Sequence, residues 1–187
     1  MSTSTQSAAL TDLAGTYTID PTHSRMGFTA RHAMVTKVRG SFKEFEGTVT
    51  AGEQLADTDI AVTIQVVSVD PNTADRDGHL RTNDFLEAET DPTMTFVSTP
   101  VVPVDAETLR VTGDLTIKGT TKPVTIDFEY AGGATDPFGQ QRVGFEGSTT
   151  VLRSDFGITW NAALETGGVL VSDKITLEIE ISAIRTV

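Results

Sequence analysis

The 187-residue chain contains no cysteine. That excludes a disulfide framework, a thiolate metal site and cysteine nucleophile chemistry. Long apolar runs are also missing. No stretch approaches the 18 or so consecutive apolar residues of a membrane-spanning helix. Basic residues are scarce: 14 Lys and Arg stand against 26 Asp and Glu, for a formal net charge of −12. A surface this acidic repels phosphate backbones and anionic lipid headgroups. It argues against a nucleic-acid partner unless the few cations cluster tightly. The first residues, Met1 to Ala9, have no basic region and no apolar run. They do not read as a secretory signal, so the expected location is cytoplasmic.

Several chemical signatures are absent as well. The three histidines, His23, His32 and His79, show no H-x-H or H-E-x-x-H spacing, so no metal is expected. His23 and Ser24 are adjacent. On a strand they point to opposite faces, and no G-x-S-x-G elbow accompanies them. The scattered glycines Gly113, Gly119, Gly132 and Gly133 fit no phosphate-binding loop and are better explained as bends of a curved sheet.

What the chain has in abundance is alternation with period two. Ile175, Leu177, Ile179, Ile181 and Ala183 fall on one face of the last segment; Thr176, Glu178, Glu180 and Ser182 fall on the other. Leu109, Val111, Leu115 and Ile117 repeat the pattern against Arg110, Thr112, Asp114 and Lys118. So do Val124, Ile126, Phe128 and Tyr130, then Ile60, Val62, Ile64 and Val66, and less cleanly Val143, Phe145, Thr149 and Val151. Each is a strand with one buried and one wet face, the mark of an antiparallel sheet. Gly119-Thr120 and Asp136-Pro137-Phe138-Gly139 read as hairpin turns.

About eight such strands are expected, several of them long, and closing into a barrel would remove their exposed edges. A β-sandwich is the competing architecture. Residues 1–13, rich in Ser, Thr and Ala, read as a flexible tail, and 14–187 as one domain. The segment from Asn72 to Leu86 breaks the alternation and fits a short helix with Asn72 as N-cap, lying over one barrel end.

The alternation predicts an inward set: Phe28, Val62, Ile64, Phe96, Leu115, Ile117, Ile126, Phe128 and Phe145, with Ile175, Leu177, Ile179 and Ile181 from the last strand. If a cavity exists, these line it, and it must suit an apolar ligand. Sequence alone does not distinguish a cavity from a filled core. Arg76, Asp77, His79 and Arg81 make the densest charged cluster. They read either as an ion-pair network holding the helix to the rim or as a polar mouth for a ligand head. Arg76, His79 and Arg153 are the candidate head-group contacts.

The motifs together resemble the YceI-like family of lipocalin-like, polyisoprenoid-binding proteins. The resemblance rests on Tyr17-Thr18-Ile19-Asp20-Pro21-Thr22-His23-Ser24, Phe28-Thr29-Ala30-Arg31-His32 and Val38-Arg39-Gly40-Ser41-Phe42. It continues through Phe45-Glu46-Gly47, Arg76-Asp77-Gly78-His79-Leu80, Asp84-Phe85, Gly113 through Val124, and Arg153-Ser154-Asp155-Phe156-Gly157.

The resemblance implies an all-β, eight-stranded antiparallel lipocalin-like barrel with a short helix near one end. It also implies an isoprenoid chain in the pore, such as a quinone or a prenyl phosphate, with no cofactor required. The acidic net charge favours a neutral quinone head; a phosphate would need local help from Arg31, Arg76, Arg153 or Lys118. Two rivals stand beside this binding and transport function. One is a lipid-acting enzyme using His79 and Asp77 as acid and base. The other is a structural stress-response barrel without ligand. The sequence leaves the oligomeric state open, a homodimer among the options.

Overall fold

The computed structural model describes residues 13–33, 35–70, 86, 88–161, 164 and 171–186, apart from the side chains of His32 and Pro100. Eleven β segments carry the alternation. They are β1 (Gly15–Ile19), β2 (Arg25–His32), β3 (Thr36–Phe42), β4 (Phe45–Ala51), β5 (Asp59–Gln65) and β6 (Val69–Asp70). They continue with β7 (Thr93–Pro103), β8 (Thr108–Ile117), β9 (Thr120–Thr135), β10 (Gln141–Leu152) and β11 (Lys174–Arg185).

Three pairs of these segments are single strands interrupted once. β1 and β2 both lie against β11, with Ile19 opposite Ala183 and Arg25 opposite Glu180. β3 and β4 are separated by Lys43 and Glu44 and follow β2 and β1 in turn. β5 and β6 are separated by the 3-10 turn Val66–Ser68 and pair with β4 and β3. The result is eight long antiparallel strands in simple meander order.

The last strand returns to the first: β1 pairs with β11 as well as with β4. That pairing decides between the two architectures left open by the sequence. A sandwich keeps free edges, whereas here the sheet closes into an eight-stranded antiparallel barrel.

The hairpins follow turn chemistry. Between β8 and β9 only Lys118 and Gly119 intervene, with φ of 51° and 76°. Two successive left-handed residues make the tight turn whose twist matches its flanking strands. The turn therefore centres on Lys118-Gly119, one residue earlier than the spacing suggests. At the β9–β10 turn, Asp136 Oδ1 accepts the backbone N–H of Phe138 at 2.9 Å and of Gln140 at 3.0 Å, and Gly139 takes φ 81°.

The helix expected over 72–86 lies outside the described residues except for Leu86, which packs against the apolar cluster of Leu115, Val124 and Ile126. Helical structure among the described residues is limited to the 3-10 turns Leu55–Asp57, Val66–Ser68 and Arg153–Phe156. Leu13, at the boundary drawn between tail and domain, is buried against Leu109.

Candidate functional site

The inward faces of the eight strands enclose one long cavity of about 470 Å³. Its wall runs along the whole inner face of β11, from Ile175 to Ala183. At about 3.4 Å per residue that face is about 27 Å long, or about 20 Å along the axis for a strand tilt of about 40°. The volume spread over that length makes a narrow channel rather than a round pocket. The wall is almost wholly aliphatic and aromatic.

Inward glycines make room for large neighbours. A Cβ on Gly113 would lie 2.4 Å from Phe96 Cζ, and one on Gly147 would lie 2.8 Å from Phe128 Cδ1. Small and large side chains thus alternate across neighbouring strands, as in other small barrels.

Both ends are narrowed by apolar plugs. At one end Leu13, ahead of β1, and Leu55, on the turn Leu55–Asp57, pack with Leu109, Tyr130 and Phe145. At the other end Phe156 and Ile158 lead, with Leu86, Trp160 and Val171 against them. The few polar groups on the wall are sorted between these ends. Tyr17 and Thr58 belong to the Leu13 end, Arg31 and Arg153 to the Trp160 end. Burial raises the Tyr17 phenol above its ordinary pKa, so it stays neutral. The Thr58 hydroxyl is buried with no hydrogen-bond partner among the described residues.

The structure places every member of the predicted inward set on this wall. Phe28, Val62, Ile64, Phe96, Leu115, Ile117, Ile126, Phe128 and Phe145 all border the cavity, as do Ile175, Leu177, Ile179 and Ile181. The three candidate head-group contacts fare differently. Arg76 and His79, like Asp77, lie outside the described residues.

Arg153 borders the cavity but is only 7% exposed, so it is not a solvated rim cation. Its guanidinium donates to four main-chain carbonyls. Nε reaches Ser172 O at 2.9 Å, Nη1 reaches Ile158 O and Trp160 O at 2.9 Å each, and Nη2 reaches Val171 O at 3.2 Å. Four of its five N–H groups are therefore occupied. Burial lowers its pKa, and Asp173 acts in the opposite direction. Asp173 itself accepts from the Ser154 N–H and hydroxyl. Arg153 thus ties the turn after β10 to the segment before β11.

The sequence reading missed the plugs. A signal was present: Phe156, Ile158 and Trp160 alternate with period two beyond the end of β10. Leu13 and Leu55 had no such signal, because neither belongs to a period-two alternation.

The other polar cluster of the first motif is structural. Ser24 Oγ accepts the Ser182 N–H at 2.9 Å, and His23 Nδ1 lies 2.7 Å from Asp20 Oδ2 at the break between β1 and β2. Arg142 Nη1 donates to the same carboxylate oxygen at 2.7 Å, and its Nε reaches Asp136 Oδ2 at 2.9 Å. Arg142 holds the Asp20 carboxyl down at about 2, against its ordinary 3.8. Among the described residues no three His, Asp or Glu side chains gather as a metal site would require. No helix there is long and apolar enough to cross a membrane.

Known proteins share this barrel. The YceI-like domain family model matches residues 17–183. A UPF0312 protein of Staphylococcus epidermidis is 39% identical over 87% of this chain and 93% of its own length. Protein YceI of Escherichia coli is 42% identical over 78% of each chain. Among solved structures, the Campylobacter jejuni YceI protein superposes with a TM-score of 0.72 at 31% identity, covering 84% of this chain and 90% of that one. A polyisoprenoid binding domain from Saccharophagus degradans, implicated in plant cell wall breakdown, shares the fold with a TM-score of 0.66 at 12% identity. It covers 91% of this chain and 98% of that one. On the family match and these identities, the chain belongs to the YceI-like domain family.

Proposed function

We propose that this protein binds a polyisoprenoid lipid, a quinone or prenyl-phosphate type of chain, within the barrel and sequesters or carries it. The observation that carries the reading is the cavity: long, narrow and enclosed by apolar side chains from all eight strands. A linear hydrocarbon tail matches such a channel better than a compact ligand does. Moving apolar surface out of water gains roughly 25 cal/mol per Å², so a long tail needs no special chemistry to be held. The polyisoprenoid-binding relative of the same fold supports the choice of ligand class.

The tail lies along the β11 face and the head toward the Trp160 end, where exposed Arg31 stands beside the cavity. At the opposite end the polar groups of the wall among the described residues are the neutral hydroxyls of Tyr17 and Thr58, which do not compensate a phosphate. No step of this function requires a catalytic group.

Organic extraction of the purified protein, read by mass spectrometry, tests the reading. About one isoprenoid per chain is the expected result. An empty extract, together with no uptake of a prenylated fluorescent probe by the delipidated protein, would refute it. Replacing Ile126, on the wall, by Trp should reduce lipid content severalfold while the barrel still folds.

A further inference from the structure

The cations of this acidic protein are not spread evenly. Between residues 25 and 43 the chain has Arg25, Arg31, Lys37, Arg39 and Lys43 and no Asp or Glu. These residues form the β2–β3 hairpin and its edge. The register puts Arg31 directly opposite Lys37 and Thr29 opposite Arg39. Residues opposite each other share a face, and Arg31, Lys37 and Arg39 are exposed while Phe28, Ala30 and Val38 border the cavity. Lys174, also exposed, lies on β11 two residues before Thr176, the partner of Thr29. Arg31 and Lys37 are thus a cross-strand cationic pair, and Lys174 stands on the neighbouring strand just beyond the last paired residues, where the Arg31 main chain bonds to Ser172.

Like charges directly opposed across two strands destabilise a sheet. In a chain with so many carboxylates, an acid could have stood at one of these positions. The neighbouring acid on β11, Glu178, is already engaged by the Thr29 hydroxyl and lies 3.7 Å from Arg25. The Lys37 side chain has no hydrogen-bonding or ionic partner among the described residues. At the hairpin tip Val35 is 76% exposed. Arg31 borders the cavity itself, so the basic face adjoins the Trp160 end of the channel.

We infer that the β2–β3 hairpin is a docking surface for an anionic lipid bilayer, with its cationic face and Lys174 at the phosphates and Val35 in the headgroup layer. The inference rests on the proposed lipid ligand only in that such a ligand must enter from a bilayer; docking and cavity occupancy are separately measurable. The net charge of −12 opposes approach of the chain as a whole, so docking through the hairpin would turn the channel end toward the membrane. Surface potentials of this kind decay within a Debye length, about 8 Å at physiological salt, so docking is salt-sensitive and reversible.

Co-sedimentation with vesicles of phosphatidylcholine alone, or mixed with phosphatidylglycerol, tests this. The expected result is binding to the mixed vesicles only, lost at high salt. Lys37→Glu combined with Lys174→Glu should weaken it by roughly thirtyfold or more, since each juxtamembrane cation removed costs about fivefold. Val35→Ser should weaken it severalfold. Phe138→Ser should leave it unchanged, although Phe138 is 89% exposed, because it lies on the β9–β10 turn at the opposite end.

Neither Lys37 nor Lys174 borders the cavity, so the lipid content of the charge-reversed variant reports on the channel independently. Equal binding to both vesicle types would overturn the inference. So would unchanged binding by the charge-reversed variant with an unchanged melting temperature, or loss of binding in Phe138→Ser.

Discussion

Replacing Arg153 by Met separates a scaffold role from a head-group role. Met approximates the length of the side chain but donates nothing. Four carbonyls, of Ile158, Trp160, Val171 and Ser172, would lose their donor in a place where Arg153 is 7% exposed. Hydrogen bonds to a charged group are worth about 1.5–3 kcal/mol each, but the guanidinium is itself desolvated, and its removal relieves that penalty. Some of the carbonyls also regain water as the turn loosens. The balance is a loss of about 3–5 kcal/mol, comparable to breaking other buried charged networks.

For a chain of this size that is a fall in melting temperature of roughly 6–20 °C. Arg153→Lys restores one charge and up to three donors without the planar fork, so its melting temperature should fall between the two. Thermal unfolding by circular dichroism, run beside lipid quantification, reads both roles at once. Arg153→Met that melts like the wild type but emerges without its lipid would refute the scaffold assignment and make the cation a head-group contact.

Other expectations follow from the same geometry. Asp20, held at about 2 by Arg142, stabilises the fold by about 2 kcal/mol above its unfolded pKa, and this is lost as pH falls from about 4 toward 2. Denaturant titrations of the wild type and Asp20→Asn should differ by that amount near neutral pH and converge near pH 2; a constant gap at all pH values would contradict the pairing. Thr58→Val should raise stability by about 1 kcal/mol, because the buried hydroxyl is unpaired. A fall of that size in denaturant unfolding would instead reveal a partner for it. Gly113→Ala should cost about 1–3 kcal/mol by the same measurement, since the new methyl meets the Phe96 ring. A neutral outcome would mean that both the ring and the Val97 carbonyl, 2.7 Å from the new methyl, give way at little cost.

Most of the strand content was legible because a barrel wall has two unlike sides. Along β8, β9 and β11 one side must be apolar and the other wet, and period two follows directly. The inward set could be named from that alone, and its members share one wall. The basic stretch between 25 and 43 is equally visible as a run of cations without acids. Turn residues were legible to within one position, since left-handed φ at Gly119 and Gly139 leaves a compositional mark.

Tertiary structure decided what depends on distant segments meeting. Whether the sheet closes is a matter of β1 against β11, residues more than 160 positions apart, and no local pattern encodes that pairing. Whether the interior is filled or open depends on the summed volumes of side chains from eight strands, and a fixed period is compatible with both. The burial of Arg153 shows the same limit at one residue. A cation at a strand end reads as solvated rim from its neighbours in sequence. Its four acceptors come from 158, 160, 171 and 172, and only the fold brings those carbonyls to one point.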